Sequence, residues 1–382
     1  MSPVTEQPRR RPLVVGASAA GLTVAHELAR RGLPVRVVDA AAGPAAAGHP
    51  VDLRPRTLEV LDQMGIVDGV LLNGRTSGLD ADYSALPTRY PYTVVIDRAL
   101  LGALLREAVA ALGVGVEWGV RPPYAPGASW LVTCDGSAEP SGHAGRRFTA
   151  GADRDPDTGI RQAYNLAWKL AMVEQGHAGP RLLHSYEEEL SADPRPRPGL
   201  LALADRVPAL RRTTLGRRSG LGLAYRDSSL TTRSAVEFIS GYHVGVAGPE
   251  PTPAPGPGSR VTEAGPACDV LRAELRDPRW SLLLAAGGAG PQGTPETVAA
   301  AAGAQYGAWL SVRILGDAAS LPDPGRRLRT ALGTPPGGWL LIRPDGYLAA
   351  RGTLLTAEAL DRALLPLSLP LPLLGTGAHP CG

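Results

Sequence analysis

The chain has 382 residues, of which 44% are hydrophobic and 20% charged, and its formal net charge is +3. This composition is typical of a globular protein of two or three domains, and no basic run of the kind that binds nucleic acid is present. No apolar run is long enough to span a membrane, no signal-peptide pattern is evident, and the three cysteines are too far apart for a zinc site or a disulfide framework. We therefore expect a cytoplasmic protein with no bound metal and no nucleic-acid or membrane partner.

Residues 13–39 predict a buried strand, a glycine turn, a helix and a second strand that ends in a carboxylate. Gly16 permits the tight turn after the first strand, and Gly21 lets the helix pack closely against that strand. Asp39 lies about 20 residues further on, where an acid binds the hydroxyl groups of a ribose. The unit predicts a dinucleotide site, and the alternative is an ordinary strand-to-helix turn without a ligand.

The turn departs from the usual glycine-rich pattern at its second glycine, whose position is occupied by Ser18. At this position the backbone comes closest to phosphate. A serine is small and adds a hydroxyl donor, so we expect the turn still to bind phosphate. The backbone N–H groups at the helix start, at Ser18 and Ala19, favour a pyrophosphate together with the positive end of the helix dipole.

Further elements follow in chain order. The apolar spacing predicts helices and strands that alternate, namely a helix over 57–65, a strand over 92–96, a helix over 98–112, and strands over 114–118, 130–134 and 147–150. Residues 158–175 predict a long helix with Asp157 as its N-cap, and residues 186–190 end another helix.

The second half of the chain begins with an interruption. Pro194, Pro196 and Pro198 break the helical pattern, and we expect loosely structured chain as far as Gly258, including a Pro/Gly linker over 249–258. A second compact α/β unit is predicted to follow, with strands over 280–284, 309–315 and 338–343, a turn at 345–346 into a fourth strand, and a helix over 356–364. This unit contains no recognisable catalytic arrangement.

On these motifs the chain resembles the FAD-dependent aromatic hydroxylases, in particular those that tailor polycyclic aromatic polyketides. The resemblance is carried by short segments spread along the chain: 15–21 with Asp39, 55–62, 134–136, 158–170, 275–280 and 343–347. It implies an α/β fold with a Rossmann-like FAD-binding domain, abridged and followed by a thioredoxin-like α/β domain that lacks the CxxC pair. The implied domain bounds are 1–190, an irregular or helical connector over 191–258, and 259–382.

The resemblance also assigns residues to the cofactor. Arg98 begins a helix where the family has a residue that touches the FAD phosphates, a role that suits a guanidinium, although a solvated helix-start arginine is the alternative. Asp135 belongs to a motif shared between FAD and reduced nicotinamide, or it caps a turn. Asp153 is the acid nearest to the family's Gly-Asp element, and Gly159 lies in the helix whose start faces the flavin. The implied cofactors are FAD and, as reductant, NADPH or NADH; no catalytic residue is named.

The chain departs from the family pattern between the motif at Asp135 and the helix 158–170. Family members carry a whole substrate-binding sheet there, whereas this chain has only residues 137–157. Most of the loop that wraps the flavin ring is missing too, and Asp153 lies one residue late. Asp157 stands where the family has an asparagine, and its carboxylate either opposes negative charge on reduced flavin or caps the helix.

Three functions remain open on these observations. The first is an FAD-dependent monooxygenase of aromatic polyketide tailoring that hydroxylates a polycyclic aromatic substrate with NAD(P)H and O2, as a homodimer or paired with a full-length hydroxylase. The second is a degenerate, flavin-poor or flavin-free homologue that acts as an accessory binding subunit or as a cofactor-independent cyclase or isomerase. The third is a decayed or shortened gene product. We favour the first as the family assignment.

Overall fold

The computed structural model describes most of the chain, in ten ranges: 11–77, 82–120, 130–134, 146–151, 155–192, 208–231, 254–261, 269–287, 293–317 and 319–367. The chain divides into two compact units. Unit 1 comprises residues 1–86, 90–171 and 202–221, and unit 2 comprises residues 87–89, 172–201 and 222–382. This division places residues 172–192 with the C-terminal part of the chain, whereas the sequence predicts domain bounds at 190 and 258. The two units are defined by contacts alone, and the domain bounds stay a prediction.

The strands are β1 (Leu13–Val15), β2 (Arg36–Asp39), β3 (Pro50–Leu53), β4 (Arg75–Ser77), β5 (Thr93–Asp97), β6 (Val116–Trp118), β7 (Trp130–Thr133), β8 (Arg146–Thr149), β9 (Trp280–Ala285), β10 (Leu310–Gly316), β11 (Leu321–Pro322), β12 (Trp339–Ile342) and β13 (Leu348–Gly352). The α-helices are α1 (Ala19–Ala29), α2 (Pro55–Gln63), α3 (Val67–Asn73), α4 (Arg98–Ala111), α5 (Pro156–Glu174), α6 (His184–Ala192), α7 (Pro208–Ser219), α8 (Asp269–Leu275), α9 (Pro295–Tyr306), α10 (Arg327–Ala331) and α11 (Ala357–Leu364). Single 3-10 turns lie at Pro180–Leu183, Pro324–Arg326 and Leu365–Leu367.

Unit 1 is built on a five-stranded parallel sheet with the order β6-β2-β1-β7-β8. Val14 on the central strand pairs with Val37 on one side and Val132 on the other, and all three side chains are fully buried. Such continuous apolar runs are typical of parallel strands that are covered on both faces. The predicted Rossmann-like α/β fold is confirmed.

A second, antiparallel sheet in unit 1 has the order β3-β5-β4. The sequence predicted only its middle strand, since β3 and β4 are short and partly exposed. The Asp97 side chain caps α4 directly after β5, because its carboxylate accepts from Ala99 N at 2.8 Å.

Two predicted helices end at glycines, as expected. After α2, Gly65 adopts a positive φ of 78°, and Ile66 N donates to Leu61 O at 2.8 Å. After α4, Gly113 has a φ of 79°. A left-handed residue at this position allows the last helical carbonyls to be satisfied, which is why glycine is favoured there.

The expectation of loose chain up to Gly258 is wrong for part of that region, because α7 lies within it. Leu215 of α7 and Leu221 just beyond it are buried in a small cluster with Tyr83 and Leu86. The helix is rich in arginine and has a weak apolar pattern of its own. Contacts with residues more than 100 positions away therefore stabilise it, and local spacing could not reveal them.

Unit 2 contains a mixed five-stranded sheet with the order β11-β10-β9-β12-β13. Strands β9, β10 and β11 are parallel, whereas β12 is antiparallel to both β9 and β13. The predicted strands of this unit and its final helix are confirmed, and so is the turn into β13, where Gly346 has a φ of 77°. Its thioredoxin-like character stays a prediction.

A buried cluster of charges lies on α1. The carboxylate of the fully buried Glu27 accepts from Arg31 Nη1 at 2.5 Å and lies 2.9 Å from Arg30 Nη2. The other carboxylate oxygen of Glu27, Oε1, lies 3.1 Å from His26 Nδ1. Burial by itself would raise the pKa of Glu27, but Arg30 and Arg31 outweigh it and hold that pKa well below its usual range. The fold therefore depends on the ionised form of Glu27.

We expect Glu27 to account for part of the protein's loss of stability in acid. A carboxyl whose pKa is lower in the folded chain stabilises the fold above its unfolded pKa of about 4.3, and this stabilisation is lost as the pH falls through the folded pKa. Glu27→Gln should lower the free energy of unfolding by about 2 kcal/mol at neutral pH.

Urea unfolding at about pH 7, 5 and 3 tests this prediction. The wild type should lose more stability on acidification than Glu27→Gln, and the exposed Glu107→Gln serves as the control. Equal acid sensitivity of wild type and Glu27→Gln would contradict it.

Candidate dinucleotide site

A pocket of about 550 Å³ runs along the carboxyl edge of the parallel sheet in unit 1. Its lining includes a residue at or just after the end of every strand, in sheet order Trp118, Asp39, Ala17, Cys134 and Gly151. Because neighbouring strands are about 4.8 Å apart, this line of residues spans roughly 19 Å. Ligands of open α/β sheets bind at this edge, and a pocket that crosses all five strands suits an extended ligand.

The glycine turn has the geometry that the sequence predicts. Gly16 has a φ of 99°, a conformation that favours glycine, and its N–H donates to Val38 O at 2.8 Å. A Cβ atom at Gly21 would lie 1.9 Å from Gly16 O, so only glycine lets α1 start this close to β1. The turn therefore holds the N-terminus of α1 at the edge of the pocket.

Ser18 has a different role from the one expected. Its hydroxyl donates to Cys134 O at 2.7 Å and accepts from Gly21 N at 3.3 Å, so the hydroxyl proton is already engaged within the chain. The prediction that this hydroxyl is an additional donor to phosphate is wrong. Ser18 instead caps α1, while the N–H groups of Ala19 and Ala20, which have no acceptor within the helix, lie at the pocket. A pyrophosphate would be held by main-chain N–H groups at this helix start.

Asp39 connects the turn to the next strand. Its Oδ2 accepts from Ala17 N at 2.7 Å and its Oδ1 from Ala41 N at 2.8 Å. A carboxylate can accept about four hydrogen bonds, so each oxygen can still accept from a ligand hydroxyl. The position and remaining acceptor capacity of Asp39 therefore fit a ribose.

Helix α4 presents a stripe of residues to the same pocket: Arg98, Gly102 and Arg106. These positions are four residues apart and so share one face of the helix. Arg98 N also donates to His49 O at 3.1 Å, which joins the helix start to the loop before β3. Sequence reasoning found Arg98 and missed Arg106, although the regular spacing of the three residues was a signal.

The other end of the pocket is formed where three elements meet closely. Gly151, with a φ of 68°, and Gly159 in the first turn of α5 both lie against Ala20 of α1. A Cβ at Gly151 would be 2.6 Å from the Ala20 Cβ, and one at Gly159 would be 3.3 Å from it. The small residues leave the start of α5 open to the pocket.

The N-cap predicted for α5 is wrong. The helix begins two residues earlier than predicted, with Pro156 first, and Asp155 is its cap. The Asp155 carboxylate accepts from Thr158 Oγ1 at 2.8 Å and from Asp157 N at 3.2 Å. Proline is favoured at the first helical position, where it needs no acceptor for an N–H. Asp155 is exposed and lines the pocket.

Asp157 does not line the pocket, so neither role expected for it is found. It is 1% exposed and accepts from Arg54 N at 2.8 Å, with Arg54 Nη1 at 3.3 Å and Arg161 Nη2 at 3.6 Å. Its charge is thus balanced by two guanidinium groups. At the start of α5, the carboxylate that lines the pocket is that of Asp155.

Two predicted cofactor residues, Asp135 and Asp153, lie outside the described residues. In the ranges that the structure describes, no group of three His, Cys, Asp or Glu side chains could hold a metal ion. The helices of those same ranges include none that is both long and apolar enough to cross a bilayer.

These features define a dinucleotide-binding protein of the α/β class: the parallel sheet, the glycine turn, the acid at the end of β2 and the pocket across the sheet edge. A family model described as an FAD binding domain matches residues 11–121 and 157–195. The 6-methylpretetramide 4-monooxygenase of Streptomyces rimosus is 30% identical over 539 residues, an alignment that covers 93% of this chain and 94% of that protein. The chain belongs to the FAD-dependent aromatic hydroxylases of polyketide tailoring.

Solved structures agree on the fold. The anhydrotetracycline hydroxylase OxyS from Streptomyces rimosus is 20% identical, with a TM-score of 0.67 over 94% of this chain and 99% of that one. An aklavinone-11 hydroxylase, solved as a ternary complex with FAD and aklavinone, is 18% identical, with a TM-score of 0.67 over 96% of this chain and 100% of that one.

A second relative is similar in sequence over part of its length. The tetracenomycin A2 monooxygenase-dioxygenase of Streptomyces glaucescens is 33% identical over 67% of this chain and 45% of that protein.

Proposed function

We propose that this chain is an FAD-dependent monooxygenase that hydroxylates a polycyclic aromatic substrate of the polyketide type, with NADPH or NADH as reductant and O2 as oxidant. The observation that carries the proposal is the pocket across the carboxyl ends of all five parallel strands. Its length and its helix N-terminus suit an extended dinucleotide with a central pyrophosphate.

The residues of the pocket indicate how FAD would be oriented. The N–H groups of Ala19 and Ala20 would hold the pyrophosphate, and Asp39 would accept from the ribose of the adenosine half. In this orientation the residues at the end of β6 would hold the adenine, and Gly151 and Gly159, next to β7 and β8, would face the flavin. When bound, FAD supplies the transfer of electrons from NAD(P)H and the activation of O2.

At the flavin end the chain supplies space and charge. The glycines at 151 and 159 keep side chains away from the start of α5, so that a planar ring can approach its N-terminus. The positive end of the helix dipole favours negative charge on a ligand, and the Asp155 carboxylate opposes it. We infer that these two effects partly cancel at this site.

We also propose that the chain lacks most of the family's substrate-binding sheet. The alignment with the S. rimosus monooxygenase runs over 539 residues although this chain has 382, so the relative has segments with no counterpart here. Between β7 and α5, the described part of the chain contains β8 alone. Cover for an aromatic substrate would then come from a second copy of the chain or from a full-length hydroxylase.

The first test is the visible absorption spectrum of the purified protein, followed by titration with FAD. We expect binding close to one FAD per chain, and bleaching of the bound flavin by NADPH or NADH under anaerobic conditions. Oxygen uptake with polycyclic aromatic compounds, with and without a full-length hydroxylase, then tests the need for a partner. A colourless protein with no measurable FAD affinity would reject the proposal and favour the flavin-free accessory role, which the shortened middle of the chain also fits.

A further inference from the structure

We propose that Arg106 and Trp118 bind the AMP half of FAD at the β6 end of the pocket and make this site selective for a dinucleotide over FMN. The inference rests on the proposed FAD site. It concerns two side chains of this chain that the motifs did not identify.

Arg106 is a half-buried cation that lines the pocket. Within the described ranges its guanidinium has no hydrogen-bond or ion-pair partner. Burial lowers its pKa, and no carboxylate acts in the opposite direction. An arginine nevertheless stays charged, and a partly desolvated charge without a counter-charge is unfavourable. A bound anion would remove this cost.

The Arg106 side chain points along α4 towards the helix N-terminus. A Cβ atom added at Gly102 would lie 3.2 Å from Arg106 Nη1, so the guanidinium lies over Gly102. Long helical side chains generally point this way, over the preceding turn. Because Gly102 also lines the pocket, the guanidinium lies on the pocket face, on the side of Arg98. It is thus available to the phosphate and ribose of a nucleotide.

Trp118 completes the adenine end. In the parallel register of β2 and β6, Asp39 pairs directly with Trp118. The indole is half-buried and lines the pocket, and among the described residues it has no aromatic or cation–π partner. If Asp39 accepts from the adenosine ribose and the start of α1 holds the pyrophosphate, the base would lie on the other side of Asp39, at the end of β6. A planar indole there can stack on adenine, since every base offers a π face.

These two contacts predict selectivity. FAD and 5′-ADP both carry the adenosine and phosphate groups that Arg106 and Trp118 would contact, whereas FMN carries neither adenine nor its ribose. Loss of either side chain should therefore weaken the binding of FAD and of 5′-ADP by a similar factor and leave the binding of FMN unchanged.

The experiment is calorimetric titration of the full chain with FAD, 5′-ADP and FMN. We expect Arg106→Leu and Trp118→Ala each to raise the dissociation constants of FAD and 5′-ADP by about 10-fold or more. Arg106→Lys should recover much of the loss, because it retains the charge. Arg75→Leu, which removes an exposed arginine of β4, is the matched control and should bind like the wild type.

The outcomes separate this inference from the proposed function. A wild type that binds FAD and 5′-ADP, with Arg106→Leu and Trp118→Ala unchanged, would overturn the inference and leave the FAD site standing. A wild type that binds neither ligand would reject both. If Arg106→Leu does not fold, Arg106→Gln removes the charge, keeps most of the aliphatic stem and should also weaken the binding of 5′-ADP; unchanged binding by that variant would count against the inference.

Discussion

Gly21→Ala is expected to abolish FAD binding. The added Cβ would lie 1.9 Å from Gly16 O and 3.3 Å from the Cys134 Cβ. Gly16 O is a backbone atom and cannot rotate away, so α1 must move from β1. That movement displaces the N–H groups of Ala19 and Ala20, to which the proposed function assigns the pyrophosphate. Overpacking of this kind should also cost about 3 kcal/mol of stability.

FAD titration and urea unfolding measure both effects. Gly115→Ala, just before β6, is a suitable control because nothing lies within 4 Å of the added Cβ, and its φ is not positive. It should bind FAD like the wild type. If Gly21→Ala also binds FAD like the wild type, the contact between α1 and β1 does not determine the cofactor site.

Arg343→Met is expected to cause the largest loss of stability in unit 2. Arg343 is 1% exposed and makes two hydrogen bonds to Glu189, at 2.5 and 2.8 Å, and two to Asp345, at 2.9 and 2.5 Å. The guanidinium also lies 5.0 Å from the ring centre of Tyr225. Burial by itself lowers the pKa of Arg343, but Asp345 and Glu189 raise it well above its usual value.

The substitution would remove the guanidinium that pairs with two buried carboxylates, Glu189 and Asp345. Breaking a buried ion pair in this way costs about 3–5 kcal/mol, far more than an exposed pair contributes. At low pH the two carboxylates are neutral in both proteins. The loss of unfolding free energy caused by Arg343→Met should therefore become smaller as the pH falls.

Chemical unfolding at neutral and acidic pH tests this prediction. The control is Arg89→Met, whose pair with Asp269 is 46% and 53% exposed and should contribute less than about 1 kcal/mol. A loss of stability for Arg343→Met as small as that of the control would show that the buried network is not a major source of stability.

The sequence by itself determined the features that depend on neighbouring residues. Local backbone preference accounts for the glycine turn at Gly16 and for the glycine stops at Gly65 and Gly113. Periodic burial accounts for the apolar strands of the two five-stranded sheets, and the acid at Asp39 ends one of them. Their physical cause acts over a few residues, so the α/β fold and the dinucleotide site could be predicted without coordinates. The cap of α5 is also local, because a proline at the first helical position, Pro156, indicates the residue before it, Asp155, as the cap.

The tertiary structure decided whatever depends on residues far apart in the chain. The Ser18 hydroxyl donates a hydrogen bond to the backbone oxygen of Cys134, 116 positions away, and Arg343 binds Glu189, 154 positions away. Trp118 lines the pocket at the sheet edge only because β6 pairs with β2. Long-range pairing of this kind leaves no periodic signal, since its energy comes from desolvated charges and packed surfaces that exist only after the chain has folded.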